Sequence, residues 1–177
     1  FSLVKCAIDA GYKPSDITCS DICLFTSLLG YYFSGKPIDT INFTVSERVQ
    51  NDLDKFNDDG HKVAVLTYYM KIHQYRDYFF EQLKLEHIIE NKDLFIEQLY
   101  QKLETMKSTY AGINYFFEDL RDALVEKKDT ICIVNPPAFA KGYEKMFNFK
   151  DDIQFETPVP EFNLGKEFTS LFQKCTE

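Results

Sequence analysis

The chain is short of positive charge. Its 20 lysines and arginines face 28 aspartates and glutamates, a net charge of −8. A general nucleic-acid binder is more often basic, so this chain does not grip phosphates strongly unless its few cations cluster. It also lacks a long apolar run: none approaches the roughly 20 residues that span a bilayer. Tryptophan is absent, and there are no repeats or low-complexity tracts. Metal-ligand spacing is missing too. His61, His73 and His87 are scattered, and Cys6, Cys19, Cys23, Cys132 and Cys175 form an odd set without paired spacing. No metal site is expected, and the cysteines are expected to be free thiols in a reducing cytoplasm. What is present is globular in composition. The 177 residues are 45% hydrophobic and 16% aromatic, enough for one domain with a real core.

The most informative stretch is Ile131 to Phe139, ICIVNPPAF. Ile131, Cys132, Ile133 and Val134 predict a strand buried on both faces, as in a parallel sheet. Asn135-Pro136-Pro137 ends it, because proline has no N–H for the ladder and disfavours helix in the residue before it. The chain therefore leaves the sheet at the strand's carboxyl end, where open α/β sheets place their ligand crevice. The Asn135 carboxamide and the Pro136 carbonyl would face that crevice.

Two further segments repeat the pattern. Ile17 to Ser20 predicts a short strand, Asp21 stands at its end, and Ile22 to Ser34 predicts an aromatic-rich helix. An acid between a strand and a helix can accept from ribose hydroxyls, or it can simply cap the helix. Asn114 to Phe117 predicts another strand, with Glu118-Asp119 after it and a helix over Leu120 to Lys127. Asp21, Asp119 and Asn135 would then surround one crevice.

The remaining pattern is mostly helical. Phe1 to Gly11 predicts a helix with Ser2 as its cap and Gly11 as its stop. Gly35-Lys36-Pro37 breaks the second helix. Ile41 to Phe43 is expected to be extended. Thr44 with Glu47 fits a capping box ahead of Val45, Val49, Leu53 and Phe56, and Asn57 to Gly60 ends that helix. From Val63 to about Lys107 two or three helices are expected, with Val63, Leu66, Tyr69, Met70 and Ile72 on one core stripe and Phe95, Leu99, Leu103 and Met106 on another. Ala140 to Phe149 predicts a loop or short helix, Asp151 to Phe162 an irregular segment, and Phe168 to Cys175 a final helix.

Asn-Pro-Pro after a buried strand resembles the Asn-Pro-Pro-aromatic motif of Rossmann-fold amino-methyltransferases. Ala138 stands where most of them have Tyr or Phe, and Phe139 comes one residue late. Phe1-Ser2 followed by a helix, Ser20-Asp21-Ile22 with Leu24 to Ser27 and Leu29 to Tyr31, then Tyr110-Ala111-Gly112, then Asn135 to Phe139 with Lys141 to Phe147, are together similar to a narrower group. That group is the antirestriction adenine methyltransferases of phages and mobile elements, within the N6-adenine DNA methyltransferases. There the aromatic also tends to come one place late.

The resemblance implies an α/β fold: a partial Rossmann-like, S-adenosylmethionine-dependent methyltransferase sheet with a long helical insertion over residues 44–108. It implies a single domain over residues 1–177, with a strand and glycine loop expected before Phe1 and further strands after Glu177. By position it gives Phe1 and Ser2 to the tail of the cofactor loop and Asp21 to the ribose. Ile22 goes to the cofactor adenine, and Asp119 with Leu120 goes to the cofactor base. Asn135, Pro136, Pro137 and Phe139 form the catalytic motif, and Lys141 and Tyr143 the substrate contacts. The implied donor is S-adenosylmethionine and the implied substrate adenine in DNA, with protection of phage or mobile DNA from restriction as the role. No membrane contact is expected, and a homodimer is left open. Two other readings stand beside it: a non-catalytic acidic domain of the same fold binding a protein partner, and a methyltransferase acting on protein glutamine.

Overall fold

A computed structural model describes residues 1–74, 79–123, 149, 152–155, 167 and 169–170. Helix α1 (Ser2–Asp9) buries Val4 and rests Ile8 on the core. Its N-cap is Phe1, without a side-chain cap bond, so Ser2 lies inside the first turn rather than capping it. The chain turns at Gly11, whose φ of 98° an L side chain rarely adopts. A 3₁₀ turn at Pro14–Asp16 leads into strand β1 (Thr18–Ser20).

Helix α2 (Leu24–Ser34) follows, with Leu24, Ser27, Leu28 and Phe33 fully or almost fully buried. Its N-cap is Cys23. Asp21 is therefore not the cap; it lies two residues earlier and bonds the Cys23 N–H. Gly35 ends α2 in the left-handed region, φ 72°. That matches the break expected there.

Strand β2 (Phe43–Val45) comes next, then α3 (Glu47–Leu53). Thr44 and Val45 thus belong to a strand, and the predicted capping box does not form. The N-cap is Ser46, without a side-chain cap bond. The Ser46 hydroxyl is engaged elsewhere, donating to Asp152. Helix α4 (Asp59–Ile72) starts where a helix end was expected. Asp58 caps it by accepting the His61 N–H at 2.9 Å. An Asn-Asp-Asp-Gly run signals both a stop and an N-cap, and here the cap prevails.

Helix α4 is the centre of the helical part. Val63, Ala64, Val65, Leu66, Tyr68, Tyr69 and Met70 are all buried, which is more than one stripe. A helix buried on nearly all faces needs neighbours on several sides, and α2, α3, α5 (Phe79–Glu90) and α6 (Lys92–Tyr110) supply them. Along α6, Leu103 is buried while Phe95, Leu99 and Met106 pack on the core, as their spacing predicts, and Ile96, outside that stripe, is buried too.

Strand β3 (Asn114–Phe116) runs parallel to β1, pairing Thr18 with Asn114, Cys19 with Tyr115 and Ser20 with Phe116. The Asn114 N–H reaches back to the Ile17 carbonyl at 2.9 Å. The Tyr115 carbonyl accepts instead from the Lys36 ammonium, which also lies 4.2 Å from the Phe116 ring centroid. A short helix α7 (Leu120–Ala123) begins at the expected place. Strand β4 (Ile153–Phe155) pairs antiparallel with β2, so residues 153–155 of the segment expected to be irregular are a strand. The predicted strand 131–134 lies outside the described residues. So does the predicted final helix, apart from residues 169–170, which are helical.

Candidate functional site

Because β1 and β3 are parallel and in register, both chains leave them at one end of the pair. Asp21 is the first residue beyond β1 and Asp119 the third beyond β3. This shared end is the candidate site, and the two carboxylates are held there in different ways.

Asp21 is half-buried. Burial pushes its carboxyl pKa up, and the main-chain N–H groups of Cys23 and Ile22 offset part of that. One oxygen, Oδ1, accepts the Cys23 N–H at 2.9 Å. Among the described residues Asp21 makes no side-chain ion pair. Beneath it, the Ser27 hydroxyl donates to the Asp21 main-chain carbonyl at 3.2 Å and lies 3.3 Å from the Tyr115 hydroxyl. A carboxylate oriented by main-chain N–H groups and the Thr26 side chain, and in no ion pair among the described residues, suits the donors of a ribose, which are neutral hydroxyls.

Asp119 is half-buried too, but Arg121 occupies it. The guanidinium forks onto both carboxylate oxygens, at 2.8 and 2.9 Å, while the Arg121 main-chain N–H bonds Oδ1 at 2.8 Å. Arg121 therefore holds the Asp119 carboxyl below the usual carboxylate range. Arg121 also meets Glu167 at 3.1 Å, which ties this end to residue 167. Asp119 could take a cofactor amino group only by sharing its oxygens with Arg121.

The Phe1 ring packs on the middle of β3. It stacks on Tyr115 at 6.3 Å between centroids and meets Phe33 edge-on at 5.2 Å. Ser2 is exposed, Ile22 is half-buried, and Leu120 opens α7. Asn135, Pro136, Pro137, Phe139, Lys141 and Tyr143 lie outside the described residues. Asp21 and Asp119 are thus brought to one end of the β1–β3 pair, while the Phe1 ring packs against Tyr115, Phe33 and Tyr110.

The pattern did not single out Ser27 and Tyr115. The available signal was a small hydroxyl inside an otherwise apolar helix, at the register position that a strand tyrosine can reach.

A second polar cluster, in the helical part, left no trace in sequence spacing. Asp52 and Asp152 are each 4% exposed. Asp52 accepts from Tyr69 at 2.7 Å and from Lys55 and Lys92. Burial would raise its pKa, but these donors win and hold it at about 2. Asp152 accepts a guanidinium fork from Arg48, together with Ser46 at 3.0 Å and His73 at 2.7 Å. Arg48 chiefly, against burial, brings it to about 2. A cleft of about 460 Å³ lies here, lined by Arg48, Asn51, Asp52, Tyr68 and Lys92 among others. Each carboxylate is matched by at least one cation, so the cluster acts as a clasp between β4, α3, α4 and α6.

Among the described residues no group of histidines, cysteines and acids could hold a metal, and no helix is long and apolar enough to cross a membrane. Among the described residues Cys6, Cys19 and Cys23 are in no disulfide.

A family model described as Phage DNA Adenine Methylase-like domain 1 matches residues 1–177. No curated protein and no solved structure matches the chain.

Proposed function

The chain belongs to the Phage DNA Adenine Methylase-like domain 1 family, and on that premise we propose that it is an S-adenosylmethionine-dependent methyltransferase. Its target would be the N6 of adenine in DNA, and its role the protection of phage or mobile DNA from restriction. The observation that carries this reading is the parallel, in-register pairing of β1 with β3, which sets Asp21 and Asp119 beyond the same strand ends. That is where ligands sit in open α/β sheets, and a Rossmann-like sheet is the architecture the reading assumes.

Asp21 fits the cofactor's ribose: it is half-buried, preoriented by the Cys23 N–H, and in no ion pair among the described residues. When bound, the cofactor supplies an electrophilic methyl group. The chain's own residues have to make a poor nucleophile competent. The N6 lone pair of adenine is delocalised into the ring. The Asn135 side-chain oxygen and the Pro136 carbonyl accept the two N6 hydrogens, and that draws the lone pair out of conjugation. In this reading Pro137 would complete the motif, Phe139 would stack on a base flipped from the duplex, and Lys141 and Tyr143 would contact the substrate. Positioning and fixed dipoles supply the catalysis, so no strongly shifted general base is required.

The test is transfer of labelled methyl groups from S-adenosylmethionine to DNA by the full chain and by Asn135→Ala. The variant is expected to fold normally, by circular dichroism, and to lose transfer. Full activity in it would reject the assignment.

A second reading, a domain that binds a protein partner without chemistry, is favoured by α5. Phe79 and Phe80 are 71% and 75% exposed, with Leu83 and Ile89 also exposed. No heat of S-adenosylmethionine binding, together with tight binding to a restriction enzyme, would select it.

A further inference from the structure

We propose that Ser27 and Tyr115 are positioning residues for Asp21, a buried hydroxyl pair that fixes its carboxylate for the recognition of ribose hydroxyls. This rests on the reading of Asp21 as the ribose acceptor. Tyr115 is the middle residue of β3 and 1% exposed; Ser27, in the first turn of α2, is fully buried. The Ser27 proton is committed to the Asp21 carbonyl, so the Tyr115 hydroxyl is the donor to Ser27 Oγ. The Ser27 main-chain N–H bonds the Cys23 carbonyl at 2.9 Å, and the Cys23 N–H bonds Asp21 Oδ1 at the same distance. One strand, one helix start and the Asp21 turn are thus joined in a continuous chain of hydrogen bonds.

Packing alone does not call for these hydroxyls. An alanine and a phenylalanine would fill nearly the same space without desolvating two polar groups, and such replacements are often neutral or stabilising. The Tyr115 ring is already fixed, since it lies against α2 where Gly30 has no side chain. What the hydroxyls add is a point of attachment for the Asp21 main chain. That attachment sets how far the carboxylate stands above the end of the sheet.

The experiment compares adenosine with 2′,3′-dideoxyadenosine by NMR titration of the full chain, as wild type, Ser27→Ala, Tyr115→Phe and the double variant. The wild type is expected to prefer adenosine. Each single variant is expected to lose most of that preference, about tenfold for one buried hydrogen bond, and the double variant to be no worse than either. A purely structural pair would lower the denaturation midpoint and leave the ratio of the two affinities unchanged. An unchanged ratio beside a clear wild-type preference overturns the proposal and leaves Asp21 as the acceptor. A wild type without preference overturns the ribose reading, and the proposal with it. Should Ser27→Ala fail to fold, Tyr115→Phe decides alone, because it keeps the ring and removes only the hydroxyl.

Discussion

The Tyr115 ring occupies the space that a side chain on Gly30 would need. A Cβ built there meets three ring carbons at 2.2 to 2.4 Å. The ring cannot retreat easily, because Phe1 stacks on one side and Tyr31 meets it at 6.1 Å. Gly30→Ala is therefore expected to destabilise the chain by about 3 kcal/mol, the upper range for overpacking a tight core, despite the higher helix propensity of alanine. Urea denaturation measures it. Equal or higher stability in the variant would mean that β3 and α2 are not packed this closely.

Acid should weaken the Asp52 and Asp152 clasp. Both carboxyls titrate at about 2 when folded, against about 3.9 unfolded. Their folded pKa is depressed, so the stabilisation is present above the unfolded value and is lost as pH falls toward 2. It amounts to about 2 kcal/mol per group. Urea midpoints at pH 7 and pH 3 should differ, and Asp152→Asn should reduce the difference. At pH 7 that variant is expected to lose about 2–3 kcal/mol, since His73 and Ser46 keep a weaker acceptor and Arg48 can turn to water.

His61 sits between two rings, 4.5 Å from Phe56 and 3.7 Å from Tyr100, nearly parallel to both, and its Nδ1 meets Asp58 at 2.8 Å. It joins the start of α4 to α6. His61→Ala is expected to cost about 2 kcal/mol, two ring contacts at the usual value for aromatic pairs. His61→Phe should recover the stacking share and not the Asp58 share. If both variants lose equally, the rings contribute nothing.

Asp21 should trade stability for binding. Its folded pKa is raised by burial, so its ionised form is disfavoured in the folded chain. The sign is opposite to that of Asp52: the group's contribution to stability is largest at low pH and is lost as pH rises through the raised pKa. Asp21→Asn is expected to raise the thermal midpoint at pH 7 and to weaken S-adenosylmethionine binding by about tenfold. Wild-type affinity should decline as pH falls through the raised pKa, at a pH above the ordinary 3.8, and the variant's should not. Calorimetry across that range checks both.

Local chemistry was legible in the sequence where one element's own residues decide the outcome. Gly35 ends α2 because only a left-handed turn closes it, and the β-branched and aromatic runs at 17–20 and 114–117 hold the strands 18–20 and 114–116. Their parallel pairing, and the common edge for Asp21 and Asp119, also followed. Thr44 and Val45 did not, because β2 forms only by pairing with residues 153–155, more than 100 positions away, and that pairing overrides a local capping signal. The Asp152 clasp was hidden for the same reason: its partners Ser46, Arg48 and His73 share no spacing with it. The Arg121 fork on Asp119 lies only two residues along, but no periodic pattern marks it.

Lys36 gives the sheet a handed outline. With its ammonium on the outward carbonyl of Tyr115 and over the Phe116 ring, it blunts the β3 flank against a neighbouring strand. A newcomer there would have to strip away both contacts and strand a charge. Addition of a strand, or of a second copy of the protein, at that edge is thereby disfavoured.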